Sequence, residues 1–210
     1  MKFFGINPES FGQLGIFGRQ ILQCGNRDAI IKVEFLRPYG LVYLDQIMLK
    51  DCEKYPTKKL YSSYPKANRY LKQCGFRHLK NGVALSDPFP QNYIIKIERF
   101  LKGTESLEEH FVDWVNKNVI QFIPKCSGEL EKQIVEKMWE IVINAHRHSE
   151  CKFGVSICGQ FYPKKGYFEI AFFDCGYGIP TVVKRHKALK RGEMDYKCIE
   201  WAMKKGTSTK

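Results

Sequence analysis

EIVINAHRHS, residues 140–149, decides how the rest of this chain is read. It closes a long helical pattern that opens at Ser127, a residue suited to an N-cap. Glu129 and Glu131 follow at the positive end of the helix dipole, and Ile134, Met138, Ile141, Val142 and Ala145 form an apolar stripe. On such a helix Glu140, Asn144 and His148 recur at i, i+4 and i+8. One helix thus offers a carboxylate, a carboxamide and an imidazole to a common site. His146 stands off that row and reads as a surface histidine.

Two β-rich stretches follow, Phe153–Cys158 and Tyr167–Phe173, separated by GQFYPKKG, and they predict a hairpin with a long turn. The second runs into Asp174-Cys175-Gly176-Tyr177-Gly178-Ile179-Pro180, a carboxylate at a strand end followed by glycines that free the backbone for close approach. A short apolar helix over Tyr196–Met203 then leads to Gly206, Thr207, Ser208, Thr209 and Lys210, whose hydroxyl and ammonium donors suit phosphate oxygens. Magnesium prefers hard oxygen ligands and keeps several waters, so the Asn144 amide oxygen together with phosphates makes a plausible inner shell. A carboxylate one turn earlier, Glu140, can take a proton as a phosphoryl group leaves. The plainer alternative is that Glu140 and Asn144 solvate the outer face of a core helix and the glycines form an ordinary turn. D-x-G-x-G alone is weak; its place some 30 residues after the helix row is what gives it weight.

Together EIVINAHRHS, FFDCGYGIP at 172–180 and KKGTSTK at 204–210 resemble the nucleotide pocket of the GHKL, or Bergerat-fold, ATPases and kinases with their HATPase_c-type domain. That family includes gyrase-type ATPases, sensor histidine kinases and anti-sigma serine kinases. The resemblance implies a two-layer α/β sandwich (α+β) that binds ATP and Mg2+. By it, Asn144 binds magnesium, Glu140 is the catalytic base, and His148 stands where many kinase-like members have His or Tyr. Asp174 would hydrogen-bond the adenine amine, with Gly176, Gly178 and Ile179 beside the nucleotide. Thr207, Ser208, Thr209 and Lys210 would approach the phosphates from the ATP lid. No G-x-G-L follows Lys210, so the resemblance implies a lid cut short, with ATP binding and turnover weakened.

The N-terminal half alternates strand-like and helix-like segments, the signature of an α/β unit. Ala29–Phe35 reads as a strand with Ile31, Val33 and Phe35 on one face, broken by Arg37-Pro38-Tyr39-Gly40. A helix is expected over Leu41–Leu49, a strand over Lys59–Tyr61, and a helix over Pro65–Cys74 closed by Gly75. This order resembles a STAS-like domain, the fold of the anti-sigma-factor antagonists. Arg37 to Gly40 holds no Ser or Thr, so the resemblance implies a domain that is not a phosphoacceptor of the usual kind. NGVALSDPFPQN at 81–92 is the linker candidate, dividing an α/β domain over 1–85 from an ATP-binding domain over 93–210. The latter opens with a strand-like YIIKI (93–97) and an amphipathic helix over Leu107–Val119.

Composition limits the partners. The 210 residues are 44% hydrophobic, a globular load, and the net charge of +12 divides as 16 basic against 8 acidic residues in 1–100 and 18 against 14 in 101–210. These charges are scattered rather than clustered, so a nucleic-acid partner is possible but not favoured. The eight cysteines show no C-x-x-C pair and read as free thiols. MKFFGINPES lacks the apolar core of a secretory signal, and no run approaches a membrane span, so a cytoplasmic location away from membranes is expected. A signalling ATPase or serine kinase of anti-sigma type is the leading expectation, with a protein partner on the N-terminal domain and homodimerisation left open. The alternatives are a non-catalytic, nucleotide-gated interaction module, or a histidine kinase fragment using His110.

Overall fold

The computed structural model describes residues 3–5, 11–33, 36–80, 93–123, 126–186 and 194–204. The first half contains β1 (Phe3–Gly5), α1 (Phe11–Gln23), β2 (Ala29–Lys32), α2 (Pro38–Cys52), β3 (Leu60–Ser62) and α3 (Pro65–Gln73). Its strands pair in parallel in the order β1-β2-β3, with Phe3 opposite Ile30 and Ala29 opposite Leu60. Parallel neighbours need long crossovers, and α1 and α2 supply them. β2 buries Ala29, Ile30 and Ile31 in succession, so it is covered on both faces instead of alternating as expected.

The expected break at Arg37–Gly40 is a helix start. Arg37 is extended (φ −69°, ψ 159°) and Pro38 opens α2, where its fixed φ and missing N–H cost nothing. α3 closes as expected, with Gly75 left-handed at φ +78°. β1 and α1 have no counterpart in the sequence reading, and the linker candidate at 81–92 lies outside the described residues.

The second half contains β4 (Ile94–Phe100), α4 (Leu107–Asn118), α5 (Gly128–His148), β5 (Val155–Tyr162), β6 (Tyr167–Phe173), α6 (Ile179–His186) and α7 (Asp195–Met203). Its strands form an antiparallel sheet in the order β4-β5-β6. The hairpin turn is tighter than GQFYPKKG suggests, because Gly159 to Tyr162 stay paired and Tyr162 faces Tyr167. Ser127 caps α5 as expected, its hydroxyl accepting the Leu130 N–H at 3.2 Å. The chain is therefore mixed α/β, with one parallel and one antiparallel sheet.

Both faces of the antiparallel sheet are covered. Successive side chains on a strand point to opposite faces, so β5 and β6 divide their residues between two cores. Val155, Ile157, Phe168, Ile170 and Phe172 pack with Phe111, Trp114, Met138 and Val142 of α4 and α5. Phe100 centres that cluster, with ring centroids 5.1 Å from Phe111 and 5.6 Å from Trp114, both edge-on. Cys158, Ala171 and Phe173 instead join the core of the first half, alongside Leu41, Leu44 and Met48 of α2.

A polar seam runs through this second contact. Asp45 of α2 is fully buried and accepts from Arg99 Nε at 2.8 Å, Arg99 Nη2 at 2.5 Å and Ser156 Oγ at 2.6 Å. Its neighbour Gln46 donates to Ser156 Oγ at 2.9 Å and to the Gly154 carbonyl at 3.4 Å. A two-pronged guanidinium–carboxylate pair with its other lone pairs engaged is the arrangement that burial of charge requires. Among the described residues no helix is long and apolar enough to cross a membrane.

Candidate functional site

The end of α5, the end of β6 and the turn beyond it enclose a cavity of about 610 Å3. Asn144, His148, Asp174, Gly176, Gly178 and Ile179 all line it. Its walls are otherwise mostly apolar, with Val155, Phe172, Val182 and Val183 among them, so a few polar groups face a greasy hollow of ligand size.

Three local devices bring the segments together. First, Asp174 Oδ1 accepts the Gly176 N–H at 3.0 Å, an Asx turn that fixes the carboxylate and leaves Oδ2 without a partner among the described residues. Second, the Tyr177 N–H donates to the Ser149 carbonyl at 2.6 Å, tying the turn to the end of α5. Third, Gly176 lies against that same residue, and a Cβ there would stand 2.0 Å from the Ser149 oxygen. Glycine is thus required at 176 by the protein's own backbone. At Gly178 an added Cβ would meet only Pro180 Cδ, at 3.8 Å.

The predicted helix row divides. Asn144 lines the cavity and is exposed, and its carboxamide has no hydrogen-bond partner among the described residues. His148 also lines the cavity. Glu140 does not; its side chain is 60% exposed and accepts from Lys137 Nζ at 3.1 Å. His146 corrects the sequence reading: it is buried, with Nε2 2.9 Å from the Phe100 carbonyl, and joins α5 to the end of β4. Thr207, Ser208, Thr209 and Lys210 lie outside the described residues.

On the far wall, α7 matches the helix expected over Tyr196–Met203, while α6 and the part both helices play in the cavity were missed by sequence reasoning. α6 contributes Val182 and Val183, and α7 contributes Trp201 and Ala202. Ile179, Val182 and Val183 fall at i, i+3 and i+4, a pattern that could have revealed α6. Lys184 pairs with Asp195 at 2.7 Å, linking α6 to α7, while the Arg185 guanidinium lies 3.7 Å above the Tyr177 ring.

Two cysteines flank the site. Cys151 and Cys175 hold their sulfurs 3.4 Å apart. A hydrogen bond from Cys175 is the main cause that lowers the Cys151 pKa to about 6, outweighing its partial burial, and the same contact raises Cys175. Among the described residues no group of three or more His, Cys, Asp or Glu side chains could hold a metal ion. No family model, curated protein or solved structure matches the chain.

Proposed function

We propose that this cavity binds Mg-ATP and that the chain is a nucleotide-dependent signalling protein of GHKL type, an ATPase or serine kinase. The observation that carries the reading is that a single hollow is lined by Asn144 and His148 from one segment and Asp174, Gly176, Gly178 and Ile179 from another. Oδ2 of Asp174 is oriented by the Asx turn to accept from an amino group such as that of adenine. The Asn144 carboxamide, exposed in the cavity wall, fits magnesium, which takes amide oxygen readily and is otherwise held by phosphates and water. Once bound, the ion would neutralise phosphate charge.

Glu140 would act as base only after leaving Lys137. An exposed pair of this kind is worth at most about 1 kcal/mol, so the rearrangement is cheap. A second reading, a non-catalytic module in which ATP gates a partner, is supported by Glu140 standing outside the cavity lining. It also draws on the seam that ties the site's strands to α2. For the histidine kinase reading, His110 is exposed on α4 beside Phe100, with no further support.

Calorimetric titration with ATP and magnesium tests the binding reading. Asp174→Asn and Asn144→Ala should each weaken binding about 10- to 100-fold, the worth of a hydrogen bond to a charged group, while the fold stays intact. Unchanged affinity in both variants sinks the proposal. Single turnover with labelled ATP then separates the uses: phosphate released to water, phosphate on a protein hydroxyl, or none transferred.

A further inference from the structure

We propose that Cys151 and Cys175 form a reversible disulfide that staples the end of α5 to the Asp174–Gly178 turn, with a hydroperoxide as oxidant. The two sulfurs are 3.4 Å apart as thiols, close enough to bond after an approach of roughly 1.4 Å. Ser149 is responsible for that proximity. Its hydroxyl accepts the Cys151 N–H at 3.2 Å, and its carbonyl accepts the Tyr177 N–H at 2.6 Å. Cys151 is therefore held directly by Ser149 and Cys175 lies two residues before the clamped Tyr177, and that second clamp holds only if position 176 lacks a side chain.

The other six cysteines are placed differently. Cys24, Cys74, Cys158 and Cys198 are buried, Cys52 faces His78, and Cys126 sits at the start of α5. Cys151 and Cys175 are half-buried, within reach of a small solute. Cys151 also lies 3.8 Å from Gln46 Oε1, so its thiol stands at the end of the polar seam.

The chemistry balances with a hydroperoxide. The Cys151 sulfur attacks the terminal peroxide oxygen; the S–O bond forms, the O–O bond breaks, and the departing hydroxide of hydrogen peroxide, or alkoxide of an organic hydroperoxide, leaves with the thiol proton as water or alcohol. The Cys175 sulfur then attacks the resulting sulfenic acid; the S–S bond forms, the S–O bond breaks, and water carries off the Cys175 proton. Two thiols are oxidised and one peroxide is reduced. The hydrogen bond from Cys175 favours the Cys151 thiolate that begins the sequence, while Asp174 opposes ionisation of both sulfurs and Lys50 favours that of Cys175. An external dithiol reverses the bond.

Because Cys175 lies between Asp174 and Gly176, both in the cavity lining, the staple would alter ligand access. That consequence rests on the nucleotide reading above; the bond does not. The test treats the full chain with dilute hydrogen peroxide, alkylates the remaining thiols and maps the peptides by mass spectrometry. The expected result is a Cys151–Cys175 cross-link that dithiothreitol removes, with the other six of the eight cysteines still alkylated. In Cys175→Ser, Cys151 should stop at a sulfenic acid captured by dimedone. Oxidation of Cys151 to sulfinic acid without a cross-link in the wild type, or cross-links spread over other cysteines, overturns the proposal. ATP titration of both forms is the second readout, with at least a tenfold difference expected. Equal affinities would remove the regulatory role, and failure of both forms to bind ATP would sink the nucleotide reading while the mapped cross-link stood.

Discussion

The second sheet meets the polar seam against α2 at Arg99 and Ser156, and the cavity beside α5 at Val155 and Phe172. In the seam Asp45 is closed by three hydrogen bonds and Gln46 by two donations. In the cavity Asp174 spends one carboxylate oxygen on its own turn, and the Asn144 carboxamide has no partner among the described residues. Buried polar groups that are all satisfied hold a structure together, while polar groups left open in a hollow are available to a ligand. The same sheet supports both uses.

The contrast breaks first at the seam. Asp45→Ala should cost about 3–5 kcal/mol in chemical denaturation, because it strands the Arg99 guanidinium in a largely buried setting. A loss below about 1 kcal/mol would show that the seam is not what joins α2 to the second sheet. Next comes Gly176→Ala, whose methyl group would collide with the Ser149 carbonyl. It should cost about 1–3 kcal/mol and separate the Cys151 and Cys175 sulfurs, read as slower disulfide formation.

The seam half also has a pH signature. Burial, the largest cause, lowers the His78 pKa to about 4, with Asp45 and Arg99 pulling in opposite directions. Its unfolded value near 6.5 is higher, so the unfolded chain binds more protons between those limits. The His78 contribution should be whole above about pH 6.5 and fade as the pH falls through 4, a loss of about 1–2 kcal/mol after allowing for partial exposure. His78→Gln should flatten that slope in denaturation midpoints measured across the range. The smallest effect on stability belongs to Glu140→Gln, which should leave it within about 0.5 kcal/mol and ATP affinity unchanged. If the chain turns ATP over, the variant should slow turnover by about 10²- to 10⁴-fold; equal rates would remove Glu140 as base.

Much of this arrangement was legible because its signals are local. The α5 stripe, the Ser127 cap, the Gly75 stop and the β5–β6 alternation need only neighbours in sequence. Asn144 and His148 share a helix row by spacing, and Asp174 was joined to them by the resemblance of the ordered segments to a nucleotide pocket; the three do share a cavity. What escaped depends on tertiary contact. His146 reads as a surface residue until the Phe100 carbonyl arrives from 46 positions away. Pro38 reads as a breaker until Arg37 is seen to be extended before it. Asp45 and Gln46 look like the wet side of a helix, and only the second sheet makes them interior. Gly176 was legible as a glycine but not for its reason, which lies in the Ser149 backbone.

The sharing of β5 and β6 between two cores bears on how the chain can be divided. Cys158, Ala171 and Phe173 have their packing partners in residues from the first half. A fragment beginning at the second sheet would keep its cavity residues yet turn that apolar face, and the unpaired Arg99, toward water. Such a surface favours self-association. The two sequence-defined halves are therefore poor candidates for exchange with other proteins or for separate expression, and the chain should melt in one cooperative step rather than two.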